Sequence, residues 1–321
     1  MSEILITGGT GFVGTYLRDF LRASEPDARL HLTSHAPGES SQNVIIHTLD
    51  LNDSQKVNEL IEKVRPEKIF HLASLASVAD SFAQPVTVLR NNFNLTLNIL
   101  ETVRTIVPQA RTLVVSSSDV YDHTDPAAID ERRGLAIGNP YAASKAAQDA
   151  MAQAYAKSFG LPIIIVRPFN HIGPGQRPGF VVADFARAIA RAEKDESART
   201  IRVGNLAASR DFTDVRDMVA AYALLMNKGK VGEIYNAGSG QAVTIQSILD
   251  SLVAQASAPV QVEIDESKFR PVDAPVVVAD SNKLRRLGWQ PTIPLAQTLT
   301  EILDSWRGII ATDSQQKGHH G

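Results

Sequence analysis

The chain contains no cysteine, which excludes disulfides, thiol nucleophiles and thiolate metal sites and makes the redox state of its compartment immaterial to folding. A surplus of positive charge is also missing. The 32 Lys and Arg against 35 Asp and Glu leave a net −3, so no global field is available to hold a nucleic acid or an anionic membrane, and neither partner is expected. Long apolar runs are absent too: the longest, Leu161–Val166, is far too short to cross a bilayer. Met1-Ser2-Glu3 carries no basic leader and runs straight into Ile4-Leu5-Ile6, so the cytoplasm is the expected location. Chemistry must therefore come from oxygen and nitrogen side chains or from a cofactor.

What is present is an ordinary globular composition, 44% hydrophobic over 321 residues, long enough for two domains or one large one at roughly 150 residues per domain. Ile-, Val- and Leu-rich strand candidates recur at Ile4–Thr7, Arg29–Thr33, Val44–Thr48, Lys68–Leu72, Thr112–Ser116 and Pro162–Arg167. Amphipathic helix-length stretches separate them at Phe12–Ala23, Gln55–Val64, Val86–Val103 and Tyr141–Phe159. This alternation is the grammar of a parallel sheet covered on both faces, so the chain is predicted to be α/β with a doubly wound (Rossmann) sheet. After Arg167-Pro168 the texture turns to Gly173-Pro174-Gly175-Gln176-Arg177-Pro178-Gly179 and shorter strand candidates. A smaller, discontinuous α/β region is expected there, with Glu233–Ala237 returning to the main sheet as a seventh strand. The terminal Lys317-Gly318-His319-His320-Gly321 reads as a frayed tail, not as a metal tract.

Directly after the first strand stands Thr7-Gly8-Gly9-Thr10-Gly11-Phe12-Val13-Gly14, opening a helix. Gly8 permits a tight turn, Gly11 lets the backbone approach a phosphate, Gly14 lets helix and strand pack closely, and the helix N-terminus favours the negative charge. A dinucleotide pyrophosphate is the expected ligand. The acidic residue expected after the second strand to hold the adenosine ribose is replaced by Leu32-Thr33-Ser34-His35. That removes a barrier to a 2′-phosphate, to which Ser34 and His35 can donate, so NADP(H) is favoured and NAD(H) is tolerated. Asp50-Leu51 is placed to meet the adenine edge, and Asp50 is equally well placed to cap the next helix.

Asn139-Pro140 signals a helix start, which puts Tyr141 and Lys145 four residues apart on one face. A fixed ammonium beside a phenol favours the phenolate and brings proton exchange toward neutrality, so Tyr141 is the expected proton donor and Lys145 the grip on the nicotinamide ribose. The fifth strand ends in Ser116-Ser117-Ser118-Asp119-Val120-Tyr121, at the sheet edge where ligands of such folds sit. Glycine loop, strand-end hydroxyl and Tyr-x-x-x-Lys, in that order, resemble the extended short-chain dehydrogenase/reductase family over residues 3–310. The resemblance implies Ser117, four before the Tyr of the Val-Tyr pair, as the catalytic hydroxyl, with Ser116 and Ser118 as strand-end hydrogen bonders. It also implies Leu72 and Ala73 beside the cofactor and Asn92 as a support for the active-site backbone.

Members of that family similar to this chain mostly act on nucleotide-diphosphate sugars. Arg167-Pro168-Phe169-Asn170-His171-Ile172-Gly173-Pro174-Gly175-Gln176 and Ser209-Arg210-Asp211-Phe212-Thr213-Asp214-Val215-Arg216-Asp217 are similar to the family's GDP-6-deoxy-4-keto-D-mannose reductases. This resemblance implies a GDP-sugar substrate, reduction of its C4 ketone, and substrate contacts from Ser117, Asp119, Asn170, Arg210 and Arg270. Blander readings are a surface ion pair for Arg210 with Asp211, a turn cap for Arg270 and a loop-holding role for Asn170. The rival activities are 4,6-dehydration, since Asp119 sits where dehydratases place a Glu, and 4-epimerisation; a non-enzymatic NADP sensor ranks last. Residues 1–168 with about 212–241 are expected to form the dinucleotide-binding domain. About 169–211 with 242–311 would form the sugar-nucleotide domain, and 312–321 a tail. No metal site is expected, and the Ala-rich face of the Tyr141 helix (Ala142, Ala143, Ala146, Ala147, Ala150) with its neighbour suggests a homodimer through a four-helix bundle.

Overall fold

A computed structural model describes residues 2–269 and 274–318, with side chains to residue 312. The first half alternates as the hydrophobic runs demand: β1 (Glu3–Thr7), α1 (Phe12–Ser24), β2 (Arg29–Ser34), β3 (Val44–Thr48), α2 (Ser54–Val64), β4 (Lys68–His71), α3 (Val78–Ala83), α4 (Pro85–Ile106), β5 (Arg111–Val115), α5 (Pro140–Phe159) and β6 (Ile163–Pro168). Then follow β7 (Asn170–Ile172), α6 (Val181–Ala192), β8 (Thr200–Val203), β9 (Ser209–Asp214), α7 (Val215–Lys228), β10 (Ile234–Ala237), β11 (Ala242–Thr244), α8 (Ile245–Val253), β12 (Gln261–Ile264), β13 (Val276–Val277), α9 (Asn282–Arg285) and α10 (Leu295–Gly318).

The main sheet has the order β10-β6-β5-β4-β1-β2-β3, and every neighbouring pair is parallel. The chain order reverses between β1 and β4, so the crevice for a ligand opens at their carboxyl ends. Strand β1 shows why its sequence is apolar throughout. Ile4 and Ile6 join Leu17 and Leu21 of α1 and Met218 and Leu225 of α7 in one core. Leu5 faces the other way, into a core with Ile61 of α2 and Leu95 and Ile99 of α4. With both faces covered, truncating any of these to Ala would cost about 2–5 kcal/mol.

A third core joins α6, α8 and α10 through Phe185, Ile189, Ile248, Leu252, Ile302 and Leu303. It packs beside a small sheet ordered β11-β9-β13, to which β7 adds by pairing with β9, and a two-stranded β12-β8 pair. Asp211 fastens this region to the main sheet. Its buried carboxylate accepts from the backbone N–H groups of Ser239, Gly240 and Ala279 at 2.8, 2.8 and 3.1 Å. Arg270 lies outside the described residues, as do the two terminal histidines.

Candidate active site

The glycine loop is shaped by sterics that can be read residue by residue. Gly8 sits at φ +67°, and a Cβ there would press on Ala73 Cα at 3.1 Å. A Cβ on Gly14 would lie 2.7 Å from Gly9 Cα, inside the loop itself. Gly9, to which the motif assigns nothing, is held just as tightly: its Cβ would lie 2.7 Å from that of Leu32. Gly11 is different, because its Cβ would meet only the Gly8 carbonyl, at 3.2 Å. It caps α1 with no side-chain hydrogen bond, so the first-turn N–H groups have no side-chain acceptor and a phosphate can approach them. The loop therefore fits a dinucleotide pyrophosphate.

One cavity of about 1210 Å³ runs from this loop across the sheet edge. Gly8, Gly11, Phe12, Val13 and Gly14 line it, followed by Ser34, His35, Asp50, Leu51, Leu72 and Ala73. Ser34 Oγ accepts from Thr10 Oγ1 at 3.0 Å and from the Ala36 N–H at 3.2 Å. Asp50 does not cap the next helix. That cap is Asp53, which accepts from the Lys56 N–H at 3.2 Å. Asp50 instead accepts from the Asn52 N–H at 2.9 Å, the main cause holding its carboxyl below the usual range.

The same cavity is lined by Ser117, Asp119, Tyr141 and Lys145. Asn139 caps α5 by accepting from the Ala142 N–H at 2.8 Å, with Pro140 opening the helix, and this sets the first turn that carries Tyr141. Ser117 accepts from the Asp119 N–H at 3.1 Å and lies near enough to the Tyr141 phenol to influence its titration. Burial, followed by the Asp119 charge, pushes the phenol above its ordinary range, and Ser117 offsets part of that. Lys145 is 3% exposed and donates to the Val115 carbonyl at 2.9 Å. Burial pushes it down to about 7, against the pull of Asp149. Desolvation is the largest cause for both groups, raising the phenol and lowering the ammonium, an influence that residue spacing alone did not include.

Asn92 is fully buried. It accepts from the Leu75 N–H at 2.8 Å and donates to the Leu75 carbonyl at 3.1 Å and to Ser144 Oγ at 2.9 Å, so it ties the loop after β4 to α5. The Ser116 hydroxyl, expected to be hydrogen-bonded, is buried with no partner. Tyr222 of α7 also lines the cavity with a buried, unpartnered hydroxyl. A helical apolar pattern gave no signal for that.

Asn170 and Arg210 line the far half of the cavity, with Phe180, Ala274 and Pro275. Arg210 donates to the carbonyls of Ser209 and Ala274, both at 2.8 Å. The surface-pair reading of Arg210 with Asp211 does not hold, since the Asp211 carboxylate is buried among the backbone donors already named. His171 also reaches the cavity, with Nδ1 3.1 Å from the Phe169 carbonyl. Among the described residues no group of three His, Asp or Glu is arranged to hold a metal, and no helix is long and apolar enough to cross a membrane.

The comparisons with known proteins agree with this geometry. The family model described as GDP-mannose 4,6 dehydratase matches residues 5–302. The GDP-6-deoxy-D-mannose reductase of Pseudomonas aeruginosa is 32% identical over 311 residues, covering 96% of this chain and 98% of that protein. The solved structure of RMD from Pseudomonas aeruginosa complexed with NADPH superposes with a TM-score of 0.83 at 32% identity, over 96% of this chain and 99% of that one. A UDP-glucose 4-epimerase of Thermus thermophilus in complex with NAD gives 0.85 at 26% identity, over 95% and 99%. With the doubly wound sheet, the glycine loop and the Ser117, Tyr141 and Lys145 cluster, these matches make the chain a member of the extended short-chain dehydrogenase/reductase family, in its NAD-dependent epimerase/dehydratase branch.

Proposed function

We propose that the chain is an NAD(P)-dependent nucleotide-sugar ketoreductase that reduces the C4 ketone of GDP-4-keto-6-deoxy-D-mannose to GDP-D-rhamnose, with NADP(H) as the favoured dinucleotide. The observation that carries this reading is that one cavity joins the glycine loop, the Ser117 and Tyr141 hydroxyls and the guanidinium-bearing far half. Bound NADPH supplies the hydride. Tyr141 holds a proton that burial keeps in place until negative charge appears on the sugar oxygen, and then gives it up. Ser117 donates to the same oxygen, so both hydroxyls act where charge develops and not on the planar ketone. Lys145 grips the ribose, and Ser34 and His35 face the adenosine 2′-position, where the acidic residue usual at the end of the second strand is replaced by Ser34.

The division into a dinucleotide-binding and a sugar-nucleotide-binding domain belongs to the same proposal, as do a cytoplasmic location and a homodimer. Val86, Leu89 and Phe93 of α4 and Phe159 of α5 are exposed apolar groups, which a partner's equivalent helices would cover. Ala142 is fully buried within the protomer and takes no part in that face.

The test is an absorbance assay with two substrates. A 4-keto-6-deoxy GDP-sugar should consume NADPH stoichiometrically, and Tyr141→Phe should lower the rate about 10²–10⁴-fold while NADPH still binds. Asp119, in the cavity and close enough to act on the Tyr141 phenol, supports 4,6-dehydration as the second reading. Turnover of GDP-mannose without net cofactor use would establish that reading instead.

A further inference from the structure

We infer that Arg177 is a second phosphate-binding residue for the substrate's diphosphate, held in reserve by its ion pair with Asp80 in the cavity wall. This rests on the reading of the far half as a sugar-nucleotide site. Arg177 and Asp80 both line the cavity and pair there, 97 residues apart in sequence. Arg177 Nη2 meets Asp80 Oδ2 at 3.2 Å, and each side chain is more than half exposed, 59% and 58%.

The placement of Arg177 is built, not incidental. Its loop is fastened at three points: the Tyr16 hydroxyl donates to the Pro174 carbonyl at 2.8 Å, Gln176 Nε2 to the His171 carbonyl at 3.1 Å, and the Gly179 N–H to Asp184 Oδ1 at 3.0 Å. Along the same loop Gly175 and Gly179 take φ of +83° and +96°, turns that fix the course of the chain on either side of Arg177. The guanidinium lies 5.8 Å from the centre of the Phe180 ring, a wall of the same cavity.

The energetics favour an exchange of partners. An exposed Arg–carboxylate pair contributes about 0–1 kcal/mol, whereas a guanidinium on a diphosphate makes charge-assisted, bidentate hydrogen bonds. Surrendering Asp80 therefore costs little. Arg210 lines the same cavity with its Nη1 engaged by the carbonyls of Ser209 and Ala274, so Arg177 adds a second guanidinium to it.

The experiment is calorimetric titration of the full chain and two variants with GDP, guanosine and NADPH. Arg177→Ala is expected to weaken GDP about tenfold, with guanosine and NADPH unchanged; unchanged NADPH also shows that the variant is folded. Asp80→Asn is expected to act in the opposite direction and tighten GDP two- to fivefold, because the competing carboxylate is gone. Equal GDP affinity in the full chain and Arg177→Ala overturns the inference alone. So does a loss confined to NADPH, which would assign Arg177 to the cofactor's phosphates. Failure of the unmodified chain to bind GDP, with NADPH bound, overturns the sugar-nucleotide reading as well.

Discussion

Lys145 stands one helical turn beyond Tyr141 and donates through Nζ to the Val115 carbonyl at 2.9 Å, so its ammonium is fastened to the end of β5 and not to the phenol. Burial lowers this group to about 7. A ligand gripped by the ammonium must then bind more weakly as the proton leaves. The dissociation constant for NADPH is expected to rise as pH increases from 6 to 9, and that of Lys145→Met to be higher and flat across the same range. Fluorescence titration checks both, and a flat profile for the unmodified chain would remove Lys145 from the cofactor site.

One turn further along α5, Asp149 takes the guanidinium of Arg167 in two hydrogen bonds of 2.7 and 3.1 Å, with the two side chains 1% and 3% exposed. The Arg167 guanidinium also lies 4.7 Å from the Tyr121 ring centre. Asp149 is the charge that pulls the Lys145 pKa upward. Asp149→Asn keeps the shape but leaves a buried cation uncompensated, an expected loss of about 3–5 kcal/mol in urea denaturation. It should also move the pH midpoint of NADPH binding below that of the unmodified chain. A merely structural role for Asp149 would lower stability and leave that midpoint in place.

Much of this was legible locally. Hydrophobic alternation placed the strands and helices of the first half, because a sheet covered on both faces tolerates few polar positions. Asn139-Pro140 marked the start of α5, because a cap and a fixed φ act within one turn. What the sequence did not disclose depends on contacts between distant segments. Asp211 looks like the ion partner of its neighbour Arg210, yet it serves backbone donors from residues 239, 240 and 279. Arg177 reads as part of a turn until the fold brings Asp80 opposite. The titration of Tyr141 was hidden for a related reason: residue spacing gives proximity to Lys145 but says nothing of how deeply both groups are desolvated.

Part of the acid sensitivity should originate at the sheet edge. His31 Nδ1 and His47 Nε2 are 2.8 Å apart, and His31 Nε2 is 2.7 Å from Glu3 Oε2. Burial lowers His31 despite Glu3, and burial, the neighbouring His31 and Lys63 push His47 down to about 4. Both rings are then neutral in the folded protein, while the unfolded chain takes protons below about 6.5. Stability from these groups is fully present above 6.5 and is lost as pH falls from there toward 4. Partial exposure of His47 limits the loss to about 1–2 kcal/mol. Urea denaturation at pH 7 and pH 5 should show a smaller drop for His47→Gln than for the unmodified chain. His71, buried and pushed down to about 3, contributes equally to both proteins and cancels in that comparison.

The hydroxyl of Tyr222 gives the reverse case, a polar group whose removal should help the fold. It is fully buried with no hydrogen-bond partner, and burial, followed by the nearby Tyr141, pushes its pKa upward. Desolvating a hydroxyl without satisfying it costs about 1–3 kcal/mol, while the ring packs in the core shared by α1 and α7 and is retained in Phe. Tyr222→Phe is therefore expected to raise the stability of the ligand-free protein by about 1 kcal/mol in urea denaturation. A decrease of similar size would mean that the hydroxyl is satisfied in solution, and the neighbourhood of Tyr141 would then need a further hydrogen-bonding group to account for it.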